Sequence, residues 1–115
     1  LSSVPGITTP VERPWAKSVY WMYAILIEDA FCMNRDELAA KLKARGIDTR
    51  TFFISLHRQP VLTKRGLFRR EEHDYPVTDE ISERGMYLPS GLAITEKQIR
   101  TVVHEIAAIH KTART

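Results

Sequence analysis

The stretch richest in reactive side chains runs Gly46-Ile47-Asp48-Thr49-Arg50-Thr51-Phe52-Phe53-Ile54-Ser55-Leu56-His57-Arg58-Gln59-Pro60. A strand ending in a loop here would present an arginine, two phenylalanines, a histidine and a glutamine together. Arg50 offers a planar fork that grips a carboxylate or phosphate through two hydrogen bonds. Histidine can donate, accept or transfer a proton. On residue types alone the stretch also fits a plainer reading, in which Phe52 or Phe53 belongs to the core and His57 caps a loop.

Other chemistries find less support. Lys64-Arg65-Gly66-Leu67-Phe68-Arg69-Arg70 has the Arg-Gly-Phe opening of an RNA-recognition motif. That motif continues with aromatics on a strand, whereas Glu71, Glu72 and Asp74 follow here and cancel the charge. The run therefore reads as a solvated loop. Tyr20, Trp21 and Tyr23 read as sheet packing rather than a stacking platform. His104 and His110 are not spaced at i, i+4, as two metal ligands on one helix face would be, and no HExxH, GxGxxG or P-loop occurs. Cys32 reads as structural.

The elements that would position these residues follow from pattern. The chain has 115 residues, 43% hydrophobic and 27% charged, which suits one globular domain rather than disorder. Seventeen Lys and Arg against 14 Asp and Glu give a net +3, a mild bias that permits a phosphate-bearing partner without demanding one. A single cysteine excludes an internal disulfide and fits a reducing compartment, so a cytoplasmic location is expected. The longest apolar run, residues 19–27, is too short for a membrane span of roughly 20 residues. It predicts a buried strand covered on both faces. No secretory signal is visible, and the absence of an initial Met leads us to expect a start inside a longer protein.

Residues 1–16 carry Pro5, Gly6, Pro10 and Pro14 and predict a Pro-rich linker or an initial strand. Asn34 with Glu37 predicts a capping box that opens a helix. Leu38 and Leu42 fall on its buried face, and Gly46 ends it. Residues 47–54 predict a strand. Residues 55–76 show no clear period and predict a long loop, its part 61–74 being the most mobile internal segment. Thr78 predicts the cap of a short helix through Arg84, followed by a strand over 86–89. Thr95 with Gln98 predicts a second capping box, before an amphipathic helix built on Ile99, Val102, Val103, Ile106 and Ile109. The sum is an α+β fold, a small two-layer sheet-and-helix domain over residues 17–115.

Four stretches together resemble the C-terminal domain of the DegT/StrS-type sugar aminotransferases. They are the Pro-rich lead into Val19-Tyr20-Trp21-Met22-Tyr23, the helix from Asn34 into Gly46-Ile47-Asp48-Thr49-Arg50, the run Phe52-Phe53 to Leu56-His57-Arg58-Gln59-Pro60, and Tyr75-Pro76-Val77 with the short helix, then Tyr87-Leu88-Pro89-Ser90-Gly91-Leu92 and the capped helix at Thr95. The resemblance implies the small C-terminal domain of the aspartate-aminotransferase fold. It further implies a parent enzyme that uses pyridoxal 5'-phosphate to move an amino group from glutamate to a 4-keto-6-deoxy nucleotide sugar. The partners implied are an N-terminal cofactor-binding domain, absent from this chain, and the second subunit of a homodimer, with no nucleic acid and no membrane.

None of the lysines stands in a context resembling the cofactor lysine, so no catalytic residue is named and the chain alone is expected to be inactive and to bind no cofactor covalently. By the same resemblance the segment from Arg50 to Gln59 faces the active site. Arg50, Phe52, Phe53, His57 and Gln59 are then substrate-binding candidates, with Arg50 and His57 meeting the amino-donor carboxylate or the nucleotide sugar and the phenylalanines forming walls. The competing readings are an independent nucleic-acid-binding module and a non-catalytic scaffold domain.

Overall fold

The computed structural model of the chain describes residues 1–68 and 74–113. Four strands, β1 (Ile7–Thr8), β2 (Tyr23–Ile27), β3 (Arg50–Thr51) and β4 (Gly85–Leu88), form one sheet in the order β1-β2-β4-β3 with every neighbouring pair antiparallel. The helices are α1 (Arg35–Lys43), α2 (Pro60–Lys64), α3 (Pro76–Arg84) and α4 (Glu96–Ala113). The fold is a small α+β domain.

Alternation along the central strands decides where the core lies. Ile25 pairs with Met86 and Tyr23 with Leu88, so these side chains leave the sheet on one face. That face meets Leu38 and Leu42 of α1 and Val102, Ile106 and Ile109 of α4. Ile25, Leu38, Leu42, Met86, Ile106 and Ile109 are essentially sealed from water, and each such burial contributes roughly 1.5–3 kcal/mol.

Local signals set the helix ends. The Glu37 amide donates to Asn34 Oδ1 at 2.9 Å and the Asn34 amide donates to Glu37 Oε2 at 2.8 Å, a reciprocal box at the start of α1. At its end Gly46 takes φ +76°, and the Ile47 amide reaches back to the Leu42 carbonyl, a Schellman closure that favours glycine. Ahead of α4 the Thr95 amide donates to Gln98 Oε1 and the Gln98 amide to Thr95 Oγ1.

Several expectations are revised. The apolar run 19–27 is strand only from Tyr23; Val19 and Trp21 are 90% and 73% exposed and Tyr20 sits at φ +48°. Their apolarity therefore serves a surface and not the core. The strand expected over 47–54 contracts to Arg50–Thr51, extended by one hydrogen bond from the Phe52 amide to the Gly85 carbonyl. The stretch expected as a loop contains a 3-10 turn at Leu56–Arg58 and the helix α2, which opens on Pro60. Helix α3 begins at Pro76, not after Thr78, because a proline in the first turn presets the helical φ and gives up only an amide that would be unpaired there. Part of the expectation of mobility over 61–74 falls on residues 69–73, outside the described residues. The Pro-rich beginning supplies β1, and Val4 joins the core. Among the described residues no helix is long and apolar enough to cross a membrane.

Candidate substrate-contact site

Register places the first candidate. Arg50 lies directly opposite Tyr87 in the β3–β4 ladder, and Ala24 opposite Tyr87 on the other side. Arg50, Tyr87 and Ala24 thus form one row on the face turned away from α1 and α4. Phe52, two residues further on, stacks on Tyr87 at 4.9 Å between ring centroids, nearly parallel. Phe53 meets the same ring edge-on at 5.6 Å. Gly85 makes the stacking possible, since a Cβ there would come within 2.9 Å of Phe52 Cβ and Cδ2.

The outcome is a short aromatic wall with a cation at its edge. Tyr87 is buried, Phe52 half-buried, and Phe53 is 61% exposed. Burial pushes the Tyr87 hydroxyl above its ordinary pKa, and a hydrogen bond with the Phe53 backbone pulls it partly back. Arg50 is exposed, and its side chain makes no ion pair or hydrogen bond with the described residues. It lines a cleft of about 450 Å³ together with Trp21, Asp48, Tyr87 and Ser90. An unpaired guanidinium beside an aromatic wall can hold an anionic group and shield one side of it from water.

Of the other candidates, His57 is held from behind by α3 and Gln59 by its own turn. His57 Nε2 lies 2.8 Å from Asp79 Oδ1, and its ring packs on Tyr75 at 4.8 Å. Arg58 Nη1 donates to Glu83 Oε1 at 2.7 Å and stands 3.6 Å from Asp79 Oδ1. Ser82 Oγ donates to the Phe53 carbonyl at 3.2 Å. Gln59 Nε2 donates to the Ile54 carbonyl at 3.0 Å, so one N–H of this amide closes the turn on itself, leaving its oxygen and second N–H for a ligand. The structure therefore brings Arg50, Phe52 and Phe53 together around Tyr87. It sets His57 and Gln59 further along the same segment, His57 clamped to α3 and Gln59 tied back to Ile54.

Tyr87, Asp79 and Tyr75 belong to this arrangement and were not among the sequence candidates. Tyr87 was legible as part of a strand and of a family-like stretch but not as a site residue, and Asp79 stands 22 residues from His57, a separation that carries no local pattern.

Elsewhere the chemistry is sparse. Among the described residues no group of three or more His, Cys, Asp or Glu could hold a metal. Cys32 is exposed, in left-handed backbone at φ +65°, so the structural role expected of it is not a buried one. His110 is buried against Phe31 with Nδ1 3.3 Å from the Phe31 carbonyl. Around Arg84 the carboxylates of Asp29, Glu28 and Glu80 hold the guanidinium in its charged form against partial burial. Lys17, Lys41, Lys43, Lys64, Lys97 and Lys111 are all exposed. A second cleft, about 560 Å³ and mostly apolar, opens between the start of β2 and the first turns of α4. Tyr20, Trp21, Leu88, Leu92 and Ile99 line it.

Residues 1–107 match the DegT/DnrJ/EryC1/StrS aminotransferase family. An uncharacterized protein of Methanocaldococcus jannaschii is 29% identical over 108 residues, which is 93% of this chain and 28% of that protein. GDP-perosamine synthase of Vibrio cholerae is 28% identical over 83 residues, 72% of this chain and 22% of that protein. The crystal structure of S. venezuelae DesV, solved in complex with a ketimine intermediate, superimposes with a TM-score of 0.81 at 26% identity, covering 96% of this chain and 28% of that one. The chain thus spans about a quarter of the length of the curated relatives it matches.

Proposed function

Because this chain belongs to the DegT/DnrJ/EryC1/StrS aminotransferase family over residues 1–107, we propose that it is the C-terminal part of a nucleotide-sugar aminotransferase dependent on pyridoxal 5'-phosphate. The reaction proposed is transfer of an amino group from glutamate to a 4-keto-6-deoxy sugar nucleotide, as the family resemblance implies; a GDP-perosamine synthase is among the relatives. The observation that carries the reading is the family match running through the segment that presents Arg50, Phe52 and Phe53 on one exposed face.

The residues of this chain do not fit the cofactor itself. An internal Schiff base needs a lysine sheltered beside the cofactor ring, and every lysine here is exposed on a helix or connector. The cofactor site is accordingly assigned to an N-terminal domain of the parent protein, and no step is routed through this chain's lysines.

What this chain does in the proposed enzyme is bind and enclose. Arg50 holds an anionic group, either the donor carboxylate or the sugar-nucleotide phosphate. Phe52, Phe53 and Tyr87 exclude water from one wall. His57 and the Gln59 amide oxygen supply hydrogen-bonding atoms along the same segment. The exposed apolar surface at Val19, Tyr20, Trp21 and Leu92 meets the cofactor domain or the second subunit of a homodimer, where it would be covered.

The test is to express the chain joined to an N-terminal aminotransferase domain from its own reading frame and follow both half-reactions. Conversion of the cofactor to its amine form by glutamate, and its return by a GDP-linked 4-keto-6-deoxyhexose, is the expected result. A polypeptide that accepts neither substrate, or a reading frame with no such domain, removes the proposal.

A further inference from the structure

The pairing of His57 with Asp79 determines which hydrogen-bonding atom this histidine has left to offer. An aspartate carboxylate only accepts hydrogen bonds. With Asp79 Oδ1 2.8 Å from Nε2, that nitrogen is the one that carries the proton. A neutral imidazole has a single N–H, so Nδ1 is then a lone pair. The ring is not free to exchange its nitrogens. Its side chain is 14% exposed, and Tyr75 packs on one side at 4.8 Å. Among the described residues, Arg58 is the other charged group facing Asp79, at 3.6 Å, and it is itself held by Glu83. Nδ1 has no partner among the described residues and is not sealed from solvent, unlike the unpaired Nε2 of His110.

We infer that Asp79 is a positioning residue: it fixes His57 as the Nε2–H tautomer so that Nδ1 accepts a hydrogen bond from a sugar hydroxyl. For a neutral ring the tautomer follows from the Nε2–Oδ1 geometry, while the ligand rests on the nucleotide-sugar aminotransferase reading above. The inference divides the work of the site. A lone pair at Nδ1 repels a carboxylate or a phosphate, so the anion belongs to Arg50, whose side chain has no partner to give up among the described residues. His57 is left to read a neutral donor, and the substrate that brings hydroxyls is the sugar and not glutamate. Asp79 touches neither substrate; it acts through the imidazole.

Long-range proton–nitrogen correlation spectra of the 15N-labelled 115-residue chain at neutral pH read the tautomer directly, with His57→Gln assigning the signal by its loss. The expected spectrum shows His57 with a protonated Nε2 and an unprotonated Nδ1. A protonated Nδ1, alone or together with Nε2, overturns the inference. Asp79→Asn can turn an amide N–H toward Nε2 and so releases the opposite tautomer, whereas Asp79→Glu keeps an acceptor there and restores the wild-type pattern. In the polypeptide carrying the cofactor domain, Asp79→Asn is expected to slow the half-reaction with a GDP-linked 4-keto-6-deoxyhexose about 5- to 10-fold, the loss typical of one hydrogen bond. The glutamate half-reaction should be unchanged and Asp79→Glu should recover most of the rate. Equal slowing of both half-reactions, or of neither, overturns the sugar contact. If Asp79→Asn does not fold, as a thermal melt reveals, the wild-type spectrum decides the tautomer and Asp79→Glu against His57→Gln decides the contact. A wild-type polypeptide that accepts neither substrate sinks the aminotransferase reading instead, and the spectrum still settles what Asp79 does to His57.

Discussion

Arg50 and Tyr87 face each other across the β3–β4 ladder, so the guanidinium and the phenol rise from the same side of the sheet. Their proximity is fixed by backbone pairing and not by any bond between the two side chains. Arg50 can therefore be removed without unpicking the wall that Tyr87 forms with Phe52.

That separation makes Arg50→Ala informative. In the proposed enzyme it is expected to weaken one half-reaction by roughly 30- to 1000-fold, equivalent to about 2–4 kcal/mol for a lost charge-assisted contact whose partner stays buried. Fold stability should move by no more than about 0.5 kcal/mol, as for an exposed side chain without partners among the described residues. Following each half-reaction separately, alongside a thermal melt, tells which substrate Arg50 meets. Unchanged kinetics in both would take Arg50 out of the site.

Gly85→Ala tests the wall itself. The new methyl would press on the Ile81 carbonyl and on Phe52, although the backbone angles at Gly85 are ordinary. Overpacking of this kind costs about 1–3 kcal/mol. The displaced ring should also change the near-ultraviolet dichroism that arises from the Phe52–Tyr87 stack. A variant with wild-type melting and an unaltered spectrum would show that the stack tolerates a Cβ at this position.

The Tyr87 hydroxyl supplies a pH dependence. Burial raises it above a tyrosine's ordinary value of about 10, so the folded state holds this proton more tightly than the unfolded state. The linked stability is fully present below that value and is lost as pH rises through the folded-state value. Melts from about pH 8 to about pH 11 should decline less steeply for Tyr87→Phe than for the wild type. Tyr20, raised likewise by burial and then by Glu12, leaves a residual slope in both. Identical slopes would deny Tyr87 this role.

The 115-residue chain mixed with pyridoxal phosphate is expected to show no stoichiometric aldimine band and no borohydride-trappable adduct on a single lysine. The physical ground is that Lys17, Lys41, Lys43, Lys64, Lys97 and Lys111 all lie in water. One lysine labelled to completion would require a cofactor site on this chain.

What could be read from the sequence was what depends on near neighbours. Asn34 with Glu37, Thr95 with Gln98, and Gly46 at a helix end work through contacts three to five residues apart, and each is found where its spacing placed it. The apolar run from Val19 misled because hydrophobicity marks surface that is to be covered without saying by what; only its second half enters this sheet. Helix α2 lay hidden because five residues are too few to show a period, although Pro60 was a fair sign of its first turn. Around the site, Arg50, Phe52, Phe53, His57 and Gln59 could be picked as a segment. Their supports could not: Tyr87 reaches Arg50 through a ladder, and Asp79 reaches His57 through the docking of α3.

The two residues of β1 also bear on solubility. They cover the outer edge of β2 by pairing Ile7 with Ile27 and Thr8 with Leu26, while Gly6, at φ +76°, packs against the backbone of Phe31. A fragment trimmed to residues 17–115 would bare that row of amides and carbonyls beside the hydrophobic side chains of Ile25 and Ile27. An open edge of this kind recruits the same edge of another molecule. By pairing with β2 the first eight residues cap that edge, and shortening the chain at its proline-rich beginning is expected to raise its tendency to associate through the bared strand.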